Sequence, residues 1–98
     1  MLFVRDPVLN VQPISLIHPR AELPPGSTVI ALGWGRTNSN SKGISSVLQE
    51  VDLMVSPCTS RERKTITETA FCTRTPSKDT CNGDSGGPIV IQVLFRWV

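Results

Sequence analysis

The sequence predicts an all-β fold of short antiparallel strands with one short helix. Apolar or β-branched runs recur at 28–32, 47–55, 70–73 and 88–94, and segments rich in Gly, Pro or polar residues separate them. The sequence has no internal repeat and no low-complexity segment. Short strands divided by turn signals are typical of an antiparallel β architecture.

The first half of the chain predicts a loop followed by two strands. Residues 17–27 contain Pro19, Pro24, Pro25 and Gly26, so a loop is expected there. The apolar run 28–32 ends at a glycine and predicts a buried strand. Residues 38–43 are polar and predict a turn, and the loose alternation over 47–55 predicts the second strand.

The single helix is predicted after the second strand. Ser56 is a candidate N-cap, and Pro57 suits the first helical position. Charged residues follow from Arg61 to Lys64, so we expect the helix to end near Thr65. Residues 70–73 predict a short strand, and the β-branched stretch 88–94 predicts one more.

Size and composition limit the classes of function. A chain of 98 residues can form one small domain with a modest core. A formal net charge of +2 without a Lys/Arg block predicts no nucleic-acid partner. No apolar run is long enough to span a bilayer, so no membrane partner is predicted. We also predict no cofactor and no metal ion.

The stretch Gly83-Asp84-Ser85-Gly86-Gly87-Pro88 carries the strongest chemical signal. Glycines around Ser85 permit a sharp turn and close approach of a substrate carbonyl to this nucleophile. The backbone N–H groups of Gly83 and Ser85 can stabilise a developing oxyanion. Asp84 is expected to be buried in the tight loop and to need a positive partner. The alternative is a glycine-rich turn between strands.

This stretch resembles the active-site loop of the chymotrypsin/trypsin family of serine endopeptidases. The segments 33–37 (G-W-G-R-T) and 11–16 (V-Q-P-I-S-L) resemble further parts of the same family. The resemblance implies an incomplete antiparallel Greek-key barrel similar to the second barrel of the trypsin fold. Residues 1–27 would then be the end of the first barrel and the inter-barrel connection. Residues 28–98 would be a partial second barrel with the nucleophile loop.

The resemblance also implies roles for two acidic residues. Asp84 would pair with the new amino terminus that zymogen cleavage creates. Asp79, six residues before Ser85, would lie at the base of the specificity pocket and favour Lys or Arg before the scissile bond. The alternative for Asp79 is a solvated loop residue beside Lys78.

The resemblance further implies a short disulfide loop between Cys58 and Cys72, which would contribute about 3 kcal/mol in the chain-entropy model. The family partner of Cys81 is not in this chain, and three reduced cysteines remain the alternative. Val29 and Ile91 stand where the family often has a second pair of half-cystines. We expect their side chains to pack there, with coincidence as the alternative.

Two members of the family's catalytic triad have no counterpart. His18, the only histidine, lies in I-H-P-R rather than T-A-A-H-C and is expected to be a surface residue. Asp6 precedes a proline and predicts a turn. We therefore expect the chain to begin just past the triad aspartate. After Ile91 it lacks the family's S-W-G strand, so 92–98 is a divergent strand, an intron read-through or a truncation.

The leading hypothesis is the C-terminal part of a secreted trypsin-like serine endopeptidase. Its partners would be protein or peptide substrates and protease inhibitors. Without a general base, Ser85 is a poor nucleophile, so the chain alone is expected to be inactive. The alternatives are a non-catalytic protease-like binding module and a non-functional truncated product.

Overall fold

A computed structural model describes residues 2–36, 43–80, 84–93 and 96–98. It confirms the all-β class, because every strand pairing is antiparallel and the described part contains one short helix. The elements in chain order are β1 (Thr28–Gly33), β2 (Gln49–Ser56), α1 (Ser60–Arg63), β3 (Cys72–Thr73), β4 (Ile89–Val90), β5 (Gln92–Val93) and β6 (Arg96–Trp97). The turn predicted at 38–43 lies outside the described residues except for Gly43.

The β1–β2 pair is the centre of a four-stranded sheet with the order β3-β2-β1-β4. Six residue pairs join β1 to β2, from Thr28 opposite Met54 to Gly33 opposite Gln49. The loop predicted before β1 ends in a turn in which the Ser27 N–H donates to the Pro24 carbonyl at 3.1 Å. Gly26 has φ +94° in that turn, a conformation that glycine adopts without steric penalty.

The hydrophobic core is small and lies on one face of this pair. Val29 and Ala31 of β1 and Leu53 and Val55 of β2 are buried, as the two-residue period of a strand requires. The radius of gyration is 15.1 Å, whereas a compact domain of this length has about 12.6 Å. The described part is therefore more open than an ordinary globular domain.

Val29 and Ile91 belong to the same apolar cluster. Val29 is fully buried, and Ile91 packs against the cluster that contains it. The β1–β4 register pairs Ile30 with Val90 and Ala31 with Ile89, so Val29 and Ile91 occupy the next position of the same register. Both side chains therefore contribute to one apolar cluster, as expected of residues that replace a pair of half-cystines.

The predicted start of the helix is wrong. Ser56 is the last residue of β2, where it pairs with Cys72, and Thr59 is the N-cap of α1. The Thr59 hydroxyl accepts from the Glu62 N–H at 3.2 Å, and the Glu62 carboxylate accepts from the Thr59 N–H at 2.8 Å. This reciprocal capping box satisfies two N–H groups, which Ser56 and Pro57 together cannot do.

The last predicted strand is divided at Ile91. Before it, β4 pairs with β1; after it, β5 pairs with β6, with Gln92 opposite Trp97. The Ile91 and Val98 backbones donate N–H groups to each other's carbonyls at 2.9 Å. A short antiparallel pair therefore follows Ile91, although the sequence there has no typical turn residues. The strand predicted at 70–73 is limited to Cys72 and Thr73.

Residues 2–27 have no regular secondary structure. Several of their apolar side chains are exposed, with Leu2 at 92% and Phe3 at 94% of full exposure. A search of the described residues finds no helix with the length and apolar character needed to cross a membrane.

Candidate active site

Ser85 lies in a tight turn of residues 84–87, shortly before β4. The Gly87 N–H donates to the Asp84 carbonyl at 2.9 Å, which places Ser85 second and Gly86 third in the turn. Gly86 has φ +82°, the left-handed conformation that a type II turn requires at its third position. The Ser85 side chain is exposed, so its hydroxyl is accessible to a reactant.

The turn is held closely against the end of β1. A Cβ atom at Gly87 would lie 2.9 Å from the Asp84 carbonyl oxygen and 3.1 Å from the Leu32 carbonyl oxygen. The Leu32 N–H also donates to the Pro88 carbonyl at 3.2 Å. Gly87 is needed because the two backbones approach too closely for a side chain.

The Asp84 side chain is seated in the G-W-G turn that follows β1. Its Oδ1 accepts a hydrogen bond from the Gly35 N–H at 2.8 Å. A Cβ atom at Gly35 would lie 2.3 Å from the Asp84 carboxyl carbon, and one at Gly33 would lie 2.2 Å from Asp84 Oδ1. Asp84 is half-buried, and Gly35 is buried. The two glycine-containing motifs therefore form one interlocked unit.

A cleft of about 740 Å³ lies beside this unit, between the β1–β2 pair and the segment 75–80. Asp79 and Asp84 both line it, together with the basic residues Arg36 and Lys78. Asp79 is exposed, and its Oδ1 accepts from the Thr80 N–H at 2.8 Å. The structure thus brings the predicted specificity residue and the predicted loop-positioning residue to the same cleft.

The remaining residues named by the sequence analysis lie away from this cleft or outside the described residues. Gly83, the expected oxyanion donor, and Cys81 are outside the described residues. His18 is exposed, as expected, and its Nδ1 accepts from the Arg20 N–H at 3.1 Å within a local turn. Asp6 is also exposed.

A disulfide bond joins Cys58 to Cys72, with their Cα atoms 5.3 Å apart. It links the end of β2 to β3 and encloses α1. The two sulfur atoms and a carboxylate oxygen of Glu62 lie within 4.8 Å of one another. In the disulfide, the two sulfurs are not thiolates, which are the form of cysteine that binds metal ions.

Sequence reasoning missed the group of polar residues around Glu62. The Thr59 N–H and the Arg74 guanidinium both donate to its carboxylate, and together they lower the pKa of Glu62 below its ordinary value. The T-x-x-E spacing of Thr59 and Glu62 is a capping-box signal that could have identified the helix start. No local pattern indicates the approach of Arg74, twelve residues later.

The comparisons with known proteins agree with this geometry. The family model described as Trypsin matches residues 5–94, so the chain belongs to the trypsin family. It is 45% identical over 71 residues to trypsin epsilon of Drosophila erecta, an alignment that covers 66% of this chain and 28% of that protein. Anionic trypsin of the dog is 36% identical over 99 aligned positions, with 92% and 40% covered. Bovine duodenase-1 is 41% identical over 94 residues, with 91% and 37% covered.

The chain thus spans between 28% and 40% of the length of these relatives. Membership of the family follows from the match, whereas an activity belongs to a whole protein.

Proposed function

We propose that this chain is the C-terminal part of a serine endopeptidase with trypsin-like specificity, and that Ser85 is its nucleophile. One observation carries the proposal: the 84–87 turn exposes Ser85 while the seating of Asp84 in the G-W-G turn holds the turn in place. Residues 1–27 would complete a first barrel and connect it to the partial second barrel 28–98.

The proposed chemistry is acyl transfer. Ser85 Oγ attacks the scissile carbonyl, and its proton passes to a general base supplied by another part of the enzyme. The tetrahedral intermediate collapses to an acyl-enzyme as the C–N bond breaks and the amine leaves with that proton, and water then hydrolyses the acyl-enzyme and restores Ser85. The N–H groups of Gly83 and Ser85 donate to the oxyanion of the tetrahedral intermediate. Asp84 acts as a positioning residue, because its carboxylate fixes the turn that carries Ser85 without touching the substrate.

We propose that Asp79 selects substrates with Lys or Arg before the cleaved bond. Its carboxylate lines the cleft. Because Oδ1 accepts from the Thr80 N–H, Oδ2 is the oxygen that can form a charge-assisted contact with an ammonium or guanidinium group. The exposure of Asp79 in this chain leaves that oxygen accessible. Protein and peptide substrates, and inhibitors that imitate them, are the corresponding partners.

The 98 residues alone would have negligible proteolytic activity. Their one histidine, His18, has its imidazole engaged with Arg20 in a local turn. A serine hydroxyl without a positioned base stays protonated at neutral pH and attacks amides very slowly. The disulfide between Cys58 and Cys72 is typical of an oxidising compartment, which supports secretion.

A chimeric enzyme tests the proposal. The segment of dog anionic trypsin that aligns with this chain is replaced by the chain, and hydrolysis of peptide amides with Arg, Lys, Phe or Leu before the cleaved bond is measured. We expect cleavage after Arg and Lys. Ser85→Ala should lower kcat roughly 10⁶-fold, as loss of the nucleophile does in a serine protease.

One further variant, measured on two substrates, separates the parts of the proposal. Asp79→Ser should lower kcat/KM for the Arg substrate roughly 30- to 4,000-fold, the effect of removing one partner of a close charge pair. It should leave the Phe substrate nearly unchanged. A folded chimera without Ser85-dependent activity would reject the protease assignment, and a preference for Phe or Leu would reject only the role of Asp79.

A further inference from the structure

The positive charge of the chain is concentrated in the region 58–74, which consists of the disulfide-closed segment 58–72 and the two residues after it. The whole chain has ten Lys and Arg residues and eight Asp and Glu residues. The region 58–74 contains four of the basic residues and two of the acidic ones. The rest of the chain holds six of each and is formally neutral. The net charge of +2 therefore belongs to this one region.

Three of its basic residues lie on α1 and its C-cap and define a surface that we call the basic face: Arg61, Arg63 and Lys64. An α-helix turns about 100° per residue, so these three positions occupy an arc of about 160° and Glu62 points to the opposite side. Burial agrees with this geometry, because the three basic residues are exposed and Glu62 is half-buried. The basic face therefore points to solvent.

The acidic residues of the region do not neutralise the basic face. The carboxylate of Glu62 is engaged by Arg74 and by the Thr59 N–H on the other side of the helix. Glu68 makes no ion pair within the described part of the chain, where Glu62–Arg74 is the only such pair. Arg61, Arg63 and Lys64 thus keep their charges available for an external anion.

The backbone beneath the basic face is fixed. The disulfide closes the segment from Cys58 to Cys72, and the capping box fixes the start of the helix. The Arg63 N–H donates to the Thr59 carbonyl at 3.0 Å, and the Thr65 N–H donates to the Glu62 carbonyl at 3.0 Å. A surface that is ordered before binding loses less conformational entropy when a ligand binds.

We propose that the basic face binds a sulfated polysaccharide. Guanidinium groups form two parallel hydrogen bonds with planar or tetrahedral oxyanions, and an ammonium group adds a point charge. The disulfide indicates an oxidising, extracellular setting, in which sulfated glycans are the abundant linear polyanions. This inference does not depend on proteolysis.

Other polyanions fit the same surface less well. Residues 59–64, which are α1 and its two caps, include no aromatic side chain on which a nucleic-acid base could stack; Phe71, the one aromatic residue of the region 58–74, lies after the helix. The same residues include no apolar side chain that could insert into the lipid interface, and the next apolar residue, Ile66, is half-buried. The surface therefore offers charge without the contacts that single-stranded nucleic acids or membranes also use.

Titration calorimetry with a heparin octasaccharide and the oxidised 98-residue chain tests the proposal. Three charge contacts predict that binding weakens roughly 40-fold between 50 and 200 mM NaCl, if each contact releases counterions as it does on B-form DNA. The variant with Arg61→Ala, Arg63→Ala and Lys64→Ala should lose at least about tenfold in affinity. Alanine is a strong helix former, so α1 is retained in this variant.

A matched control removes the same charge elsewhere. The substitutions Arg5→Ala, Arg20→Ala and Arg96→Ala also remove three exposed basic residues, and they should change the affinity less than about twofold. Equal losses in both triple variants would show attraction by net charge alone and would overturn the proposal. Unchanged affinity in the α1 variant would overturn it as well.

Competition experiments decide the class of ligand. A single-stranded oligodeoxynucleotide of the same total charge, and vesicles containing 30% phosphatidylserine, are titrated under the same conditions. Both should bind more weakly than the octasaccharide. Tighter binding of either one would replace the sulfated polysaccharide with that ligand.

Discussion

Asp84 occupies the space into which a side chain at Gly35 would extend. The two residues are 49 positions apart in sequence, and the Gly35 N–H donates to Asp84 Oδ1 at 2.8 Å. The G-W-G turn therefore holds the nucleophile loop in place, and its first glycine is also the last residue of β1. Its glycines are required by contact with another motif and not by their own φ angles.

Gly35→Ala should destabilise the chain by about 1–3 kcal/mol, the usual penalty for overpacking. The new methyl group would lie 2.3 Å from the Asp84 carboxyl carbon, so Asp84 must move and its hydrogen bond is lost. Urea unfolding followed by circular dichroism measures the change. Gly43→Ala is the matched control, because nothing lies within 4 Å of a Cβ atom there. Equal midpoints for the two variants would contradict the seating of Asp84.

The register of β1 and β4 predicts an engineered disulfide. Antiparallel partners have Cα atoms about 4.5–5.5 Å apart, within the range that a disulfide bridges. With Cys81 changed to Ala, the pair Val29→Cys and Ile91→Cys should oxidise spontaneously. Intact mass before and after alkylation, without reductant, measures this. The pair Val29→Cys and Val93→Cys lies off the register and should stay reduced; bridging in both pairs would refute the register.

The Glu62 carboxylate should make the stability depend on pH in the acid range. Its pKa is lowered in the folded chain, mainly by the Thr59 N–H and then by Arg74. The deprotonated form is therefore the stabilising one. Its contribution is complete above the unfolded pKa of about 4.3 and is lost as the pH falls through the lower pKa of the folded state.

Glu62→Gln measures that contribution. The variant should be less stable than the parent at pH 7, and the difference should disappear toward pH 2, because a protonated carboxyl and an amide are then alike in charge. Urea midpoints across this pH range provide the test. Glu68→Gln makes the same change of charge outside the capping box. A Glu62→Gln deficit that persists undiminished at pH 2 would exclude the charge as its cause.

Ser77→Gly should stabilise the chain by about 0.5–1 kcal/mol. Ser77 has φ +61° in a turn where the Lys78 N–H donates to the Thr75 carbonyl at 3.1 Å. A residue with a Cβ atom pays about 1–2 kcal/mol there, and glycine avoids that penalty at a smaller entropic cost. Thermal unfolding measures the shift. Ser46→Gly, at an exposed position without a positive φ, should not raise Tm; a similar rise in both would point to a cause other than strain.

The sequence predicted the elements whose signals are local. The apolar run of β1, the loop over 17–27 before it and the alternation of β2 each follow from neighbouring residues. The helix start was missed because Ser56 and Pro57 form a plausible local signal, while Thr59 and Glu62 form a better one. The division of the last strand at Ile91 depends on pairing with Val98, which composition does not indicate.

The candidate site likewise has one part that local sequence predicts and another that only the structure reveals. The nucleophile loop was identifiable from six consecutive residues, and the structure gives it the sharp turn that its glycines imply. The partner of Asp84 was not identifiable, because Gly35 supplies only a backbone N–H, and every residue except proline has one. The orientation of α1 and its basic face likewise required the backbone geometry.

The long sequence distance between Gly35 and Asp84 has a consequence for the order of folding. The β1–β2 pair joins residues within 28–56 and closes a comparatively short loop. The contact between Gly35 and Asp84 closes a loop of 49 residues, which is slower because more chain entropy is lost before any contact is gained. A nascent chain should therefore acquire its central β1–β2 pair first and order the turn around Ser85 later.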